Sequence, residues 1–186
     1  MMRSLIKILF VAIAMVSLAG VSAEAQRFAG GHGPKHARSL DDQIFKKLIS
    51  LPNYGLFDHI TYQLNGGTVV LNGSVISLGT KSDAERSVRR IPGVTRVVNN
   101  IRELPPSPFD NQIRRSLVRQ FANSGVSRYL QGPNPSVRII VDNGHVSLEG
   151  YVSNRSDANL MRVLALGVSG VFSVDNHLML SGERAG

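Results

Sequence analysis

The sequence predicts an α+β protein of two tandem αββαβ units, each a three-stranded sheet with two helices on one face. Three observations carry this. First, the chain is written twice: Gly67-Thr-Val-Val-Leu-Asn-Gly73-Ser-Val75 lines up with Gly144-His-Val-Ser-Leu-Glu-Gly150-Tyr-Val152. At the same offset of 77, Gly93-Val94-Thr-Arg-Val97-Val-Asn99 falls on Gly170-Val171-Phe-Ser-Val174-Asp-Asn176, giving nine identities in 35 ungapped positions. Second, each copy holds two alternating apolar runs around a tight-turn dipeptide, Gly66-Gly67 or Asn143-Gly144, suited to a two-residue hairpin. Third, apolar residues at helical spacing flank both hairpins.

The elements follow in order. Ser39 caps a first helix, with Asp42 three residues on, that places Ile44 and Leu48 on one face beside Phe45 and Ile49. Ile60, Tyr62 and Leu64 then face one way in a strand, as do Val69, Leu71 and Val75 after the turn. Ser82-Asp83-Ala84-Glu85 reads as a capping box opening a second helix whose buried stripe is Ala84, Val88 and Ile91, stopped by Pro92-Gly93. A third strand, Val94–Leu104, closes the unit.

In the second copy Ser107-Pro108-Phe109-Asp110 repeats the start signal with proline at the first helical position, and Ile113, Leu117 and Phe121 recur at helical spacing. The helices align at offset 69 through Asp41-Asp-Gln-Ile44 and Asp110-Asn-Gln-Ile113, which puts eight extra residues in Asn123–Ser136. Strands with Val137, Ile139, Val141 and with Val146, Leu148, Val152 follow. The last helix starts near Ser156, about a turn earlier than its counterpart, with Met161, Leu164, Ala165 and Val168 as its apolar face, before a strand at Val171–Leu180. Strand order is left open, with a right-handed crossover expected. Gly73 and Gly150 read as places where a helix presses on the sheet, and Gly93 and Gly170 as turn residues. Units this small are marginal alone, so they are expected to dock through apolar surface left uncovered.

Outside the repeats, Arg3 and Lys7, the apolar run Ile8–Leu18 and Ala23-Glu24-Ala25 read as a secretory signal peptide over 1–25. The 14 residues of Ile8–Val21 are too few for a membrane anchor. The remaining organisation is a flexible basic tail (26–39), a first domain (40–104), a Pro-rich linker (105–108), a second domain (109–180) and a C-terminal tail (181–186). Export to the periplasm is the expectation. With no Cys in the 186 residues there is no disulfide, thiol nucleophile or lipidation site. The net charge of +8 becomes +7 without the signal, spread over tail and helix faces rather than gathered in one domain.

The repeated pattern resembles the BON domain family through Asp-x-x-Ile in the first helix, Gly-x-Val-x-Leu-x-Gly-x-Val across the hairpin and the Gly-Val-x-x-Val-x-Asn close. The resemblance covers both copies and implies periplasmic or envelope proteins, among them stress proteins and adaptors, with phospholipid binding proposed for the domain.

No catalytic site emerges. His32 and His36 lie among glycines in the tail, Gly30-Gly31-His32-Gly33-Pro34-Lys35 lacks the strand and helix of a phosphate loop, and His177 has no triad partner at a telling spacing. Asp58, His59 and His145 read as exposed strand-edge or turn residues. The expectation is a non-enzymatic protein without metal or cofactor. The basic residues are the candidates: Arg86, Arg89 and Arg90 opposite the second helix's apolar stripe, Arg114, Arg115 and Arg119 on the next helix, with Lys46 and Lys47 in the equivalent place of copy one. An arginine near an anionic surface contributes about 1 kcal/mol, so a trio needs a second, apolar signal. Tyr129 and Leu130 beside Arg128 are the candidates for it, Phe28 a lesser one. The reading is peripheral, salt-sensitive binding to anionic phospholipid. A chaperone-like or protein-interaction factor holding exported clients is the alternative, and ring or fibre assembly is a third. Few aromatic residues (6%) and the export signal place nucleic acid last.

Overall fold

The structure, a computed structural model, describes residues 39–182. The signal-peptide and tail readings, with Phe28, His32 and His36, lie outside the described residues. The first unit comprises α1 (Leu40–Ile49), β1 (His59–Asn65), β2 (Thr68–Val75), α2 (Thr80–Arg89) and β3 (Arg96–Glu103). The second comprises α3 (Pro108–Ala122), a 3-10 turn (Ser127–Leu130), β4 (Val137–Asp142), β5 (His145–Val152), α4 (Arg155–Leu166) and β6 (Ser173–Leu180). The fold is the α+β arrangement of two similar units that the repeat implies.

Local chemistry fixes the ends of the elements. The Ser39 hydroxyl accepts from Asp42 N–H at 3.0 Å and Ser107 from Asp110 N–H at 3.1 Å, so both first helices start where the caps stand. Asn143 and Gly144 both take positive φ (52° and 80°), as a twisted two-residue hairpin turn demands. The capping-box reading of α2 is corrected: the helix begins at Thr80 after Gly79 (φ 89°), and Ser82 Oγ donates back to Gly79 O at 2.9 Å. In α4 the cap is Asn154, whose side chain accepts from Asp157 N–H at 2.8 Å. It starts two residues earlier than α2 in the repeat register, not a full turn.

Each sheet has its middle strand second in sequence. β1 pairs antiparallel with β2 and β2 parallel with β3, and β4, β5 and β6 repeat the order. The parallel pair follows from the helix between its strands, which carries the chain back to the same end. Separate cores form: Ile44, Leu48, Val69, Leu71, Val88 and Ile101 in the first unit, and Ile113, Leu117, Phe121, Val146, Leu148 and Met161 in the second. Burying each contributes roughly 1.5–3 kcal/mol.

Gly73 and Gly150 do not make room for a helix. They sit at φ 126° and 111°, and a Cβ would lie 2.0 Å from His59 O or 2.1 Å from Ser136 O. What each spares is the backbone of its antiparallel neighbour. The extra residues of the second unit are also not all loop. α3 has 15 residues against 10 in α1, and the 3-10 turn takes up part of the remainder.

The units dock as expected, though not by apolar contact alone. Leu56 and Phe57 pack against the second core, and Ile139 N–H donates to Leu56 O at 2.9 Å along the outer edge of β4. Arg138 is buried beneath them, donating to Gly55 O at 2.6 Å and Asn134 Oδ1 at 2.5 Å and lying over the Tyr54 ring. This explains why β4 is buried on both faces. Arg102 and Asp142 pair at 2.8 Å beside the seam.

Candidate functional site

The structure sorts the nine basic and apolar candidates into three groups. On α2, Arg86, Arg89 and Arg90 are exposed, as the wheel places them. They rim a depression of about 270 Å³ with Ser82 and Glu85. Two of the three are half-neutralised on their own helix: Arg86 lies 3.6 Å from Asp83, and Arg89 pairs with Glu85. Arg90 has no carboxylate partner among the described residues. On α3, Arg115 and Arg119 are exposed, Arg119 donating to Ser116 Oγ at 3.0 Å.

Arg114 is corrected. It is 4% exposed and donates to Asn111 Oδ1 at 2.7 Å and Val141 O at 2.5 Å, with Nε left without a partner. Burial lowers its pKa from the usual arginine value, opposed by Asp110, Asp58 and Asp142. It braces α3 against β4 and reaches no external surface.

The second signal is corrected too. Tyr129 is buried; its hydroxyl donates to Asp157 Oδ2 at 2.5 Å and accepts from Ser153 N–H at 3.0 Å. Arg128 closes the clasp, 2.6 Å from the same oxygen and stacked over the Tyr129 ring. Leu130 packs on the second core. These residues pin the extra loop to the start of α4 and are not available for insertion. Sequence spacing could not show this, because Asp157 lies 28 residues from Tyr129.

The acid–histidine readings shift as well. Asp58 is buried, not exposed, and accepts from Gly55 and Ile76 N–H, each at 2.8 Å; burial raises its pKa against those bonds. Asp110 does the equivalent work in the second unit, accepting from Asn143 and Gly144 N–H at 3.1 and 2.9 Å. His59 is half-buried, 3.9 Å from Glu149, which also bonds His177 at 2.7 Å. Burial depresses the His59 pKa, whereas the Glu149 hydrogen bond raises that of His177. His145 is exposed, as read, with Ser173 Oγ at 2.8 Å. His59, His145 and Glu149, with Arg102 and Asp142, line a polar cleft of about 370 Å³ in which Arg102 and Asp142 pair with each other. Among the described residues no group of three or more His, Asp or Glu side chains is placed to hold a metal.

What the sequence reading missed lies on α4. Leu160, Val163 and Leu166 are exposed on the side away from Met161 and Ala165, with Arg155 and Arg162 along one border. The signal was present as an i, i+3, i+6 run of apolar residues beside the core stripe. Phe109 and Phe172 form a second exposed apolar spot, their rings 6.1 Å apart.

The family model for the BON domain matches twice, over residues 43–105 and 109–182. The chain belongs to the BON domain family. In BON-domain terms the arginine helix faces and the α4 face are features of single domains, while the polar cleft lies where the two domains meet. Solved structures similar to this tandem BON chain include the C-terminal domain of CdsD, the structural protein of the type III secretion system of Chlamydia trachomatis. It is 17% identical over 77% of this chain and 98% of that one, with a TM-score of 0.30. A second CdsD structure is 16% identical over 76% and 91%, with a TM-score of 0.30. None of the curated proteins compared matches the chain.

Proposed function

We propose that this protein is a non-enzymatic binding module that associates peripherally with anionic phospholipid, acting in the periplasm in support of envelope integrity or stress response. The observation that carries the reading is where the acids go. Asp58, Asp110, Asp142, Glu149 and Asp157 are held by backbone N–H groups, arginine or histidine inside the fold. Asp83 and Glu85 face arginines on their own helix. Lys46, Lys47, Arg90, Arg96, Arg115, Arg119, Arg155 and Arg162 remain exposed, with no carboxylate within 4.0 Å among the described residues. Asp41, Asp42 and Asp175 also stay exposed, so exposed cations outnumber exposed acids among the described residues. A surface of that balance attracts a polyanionic sheet, and membership of a family whose domains bind membranes supports lipid as that sheet.

At about 1 kcal/mol for each cation that reaches the headgroups, the attachment is reversible and salt-sensitive. Co-sedimentation with anionic and zwitterionic vesicles across a salt gradient tests it. Binding only to the anionic vesicles, falling with salt, is expected; no binding at low salt would overturn the reading.

One observation favours the alternative of a client-holding factor. An apolar groove of about 310 Å³ opens where the units meet, lined by Phe45, Leu48, Tyr54, Ile60, Tyr62 and Tyr151. Reversing the charge of Arg90, Arg115 and Arg119 separates the two. Lost vesicle binding with unchanged suppression of client aggregation would assign the arginines to lipid and the groove to clients.

A further inference from the structure

Building on the membrane-surface reading, we infer that the outward face of α4 is the element that enters the bilayer. Leu160, Val163 and Leu166 sit below the headgroups, and Arg155 and Arg162 lie among the phosphates. The first unit serves as the internal control. Its α2 holds the same place in the same fold, and at the three matching positions it carries Asp83, Arg86 and Arg89. The fold therefore has no need of apolar side chains there.

In the second unit these positions are 40%, 62% and 45% exposed. At 3.6 residues per turn they span an arc of roughly 120°. That arc is opposite the buried Met161 and Ala165. Arg155 and Arg162, seven residues apart, run along the Leu166 side of the arc, and neither has a carboxylate within 4.0 Å among the described residues. A face of this kind, apolar in the middle and cationic at its border, complements anionic headgroups over hydrocarbon. It also supplies the apolar half of the attachment that Tyr129 and Leu130 cannot.

The same asymmetry recurs past the end of α4. Phe172 stands where the first unit has Thr95, and Phe109 where it has Leu40. Phe172 is 70% exposed. The exchange of Thr95 for Phe172 makes the second unit's surface more apolar at that point, whereas Leu40 and Phe109 are both apolar and the first unit keeps its own exposed Leu78.

The deciding experiment gives α4 the outer residues of α2 in the full-length protein: Leu160→Asp, Val163→Arg and Leu166→Arg. The change adds one net positive charge, so attraction by charge alone would leave binding to phosphatidylglycerol vesicles unchanged or tighter. We expect instead at least a tenfold loss of vesicle partitioning, most visible at raised salt. Equal or tighter binding would overturn the inference and leave the membrane reading standing, whereas no binding by the unaltered protein at low salt would overturn that reading itself. Unchanged vesicle binding together with loss of a dimer in light scattering would assign the face to a second copy of the chain.

A further measurement does not depend on the triple variant folding. The chain has no Trp, so Val163→Trp introduces a single reporter. Its emission should shift blue and be quenched by brominated lipid on phosphatidylglycerol vesicles, while Arg86→Trp on α2 should show neither. Equal responses at both positions, or none at Val163→Trp, would overturn the assignment.

Discussion

α2 and α4 are one helix written twice, and they differ on only one side. Toward the sheet both are apolar, through Ala84 and Val88 in one and Met161 and Ala165 in the other, all buried. Toward solvent, α2 is a lattice of charges with two ion pairs of its own, while α4 has a row of aliphatic side chains bordered by arginines. The inner side is what the αββαβ packing demands, and it persists. The outer side is free of that demand, so its divergence reports on what each unit faces.

The largest effects should come from positions where the two units are alike. Gly73→Ala and Gly150→Ala each place a methyl within about 2 Å of a neighbouring carbonyl at a left-handed φ. Each should cost about 3 kcal/mol in denaturant unfolding. A large loss in one unit only would break the equivalence.

Next comes the seam, where the units are unlike. Phe57→Ala removes an apolar contact on the second core and should cost about 2 kcal/mol, below a fully buried Phe because the ring is only partly covered. A loss confined to the first unit's amides in hydrogen exchange would show that Phe57 does not hold the units together.

The two histidines on Glu149 should then pull apart in pH. The pKa of His177 is raised above 6.5, so its contribution is complete below that value and lost as pH rises through the folded pKa. His59 is lowered from 6.5, so its contribution is present above that value and lost as pH falls through the depressed folded pKa. Melting temperatures of His177→Gln and His59→Gln, followed against pH, should diverge from the parent on opposite sides of about pH 6.5. Parallel profiles would show that burial does not set His59 apart from His177.

The smallest effect on stability should come from the reverse exchange, Asp83→Leu, Arg86→Val and Arg89→Leu on α2. Each substitution should change stability by no more than about 0.5 kcal/mol, because none touches the core. Vesicle binding should tighten, and unchanged binding would mean that an outer apolar face is not sufficient.

Much of the fold was legible because its signals are local. Ser39 and Ser107 cap within three residues, Asn143-Gly144 turns within two, and the offset of 77 carries one unit's logic to the other. The position of Gly73 and Gly150 inside strands marks them as constrained, but only the paired strand shows which backbone approaches. The candidate site was legible in part. Arg86, Arg89, Arg90, Arg115 and Arg119 are exposed as the periodicity implied, but Arg114, four residues after Asp110 on the same helix, turns into the fold toward Val141, 27 residues away. Tyr129 reads as a candidate for insertion in the sequence because its partner, Asp157, comes from another element. The α4 row does not stand out in the sequence, because the inner stripe of Met161 and Ala165 already accounts for a helix.

The bond from Ile139 to Leu56 carries a consequence for architecture. The first unit offers an apolar pair, Leu56-Phe57, and a carbonyl that together seat the opening strand of the next. At the same place before β4 the second unit has Gln131-Gly-Pro-Asn-Pro-Ser136, with two prolines and no apolar pair. A third unit would find no matching seat. The repeat therefore has a direction: it builds a pair with distinguishable ends, in which the seat the first unit offers is not written again at the matching place of the second.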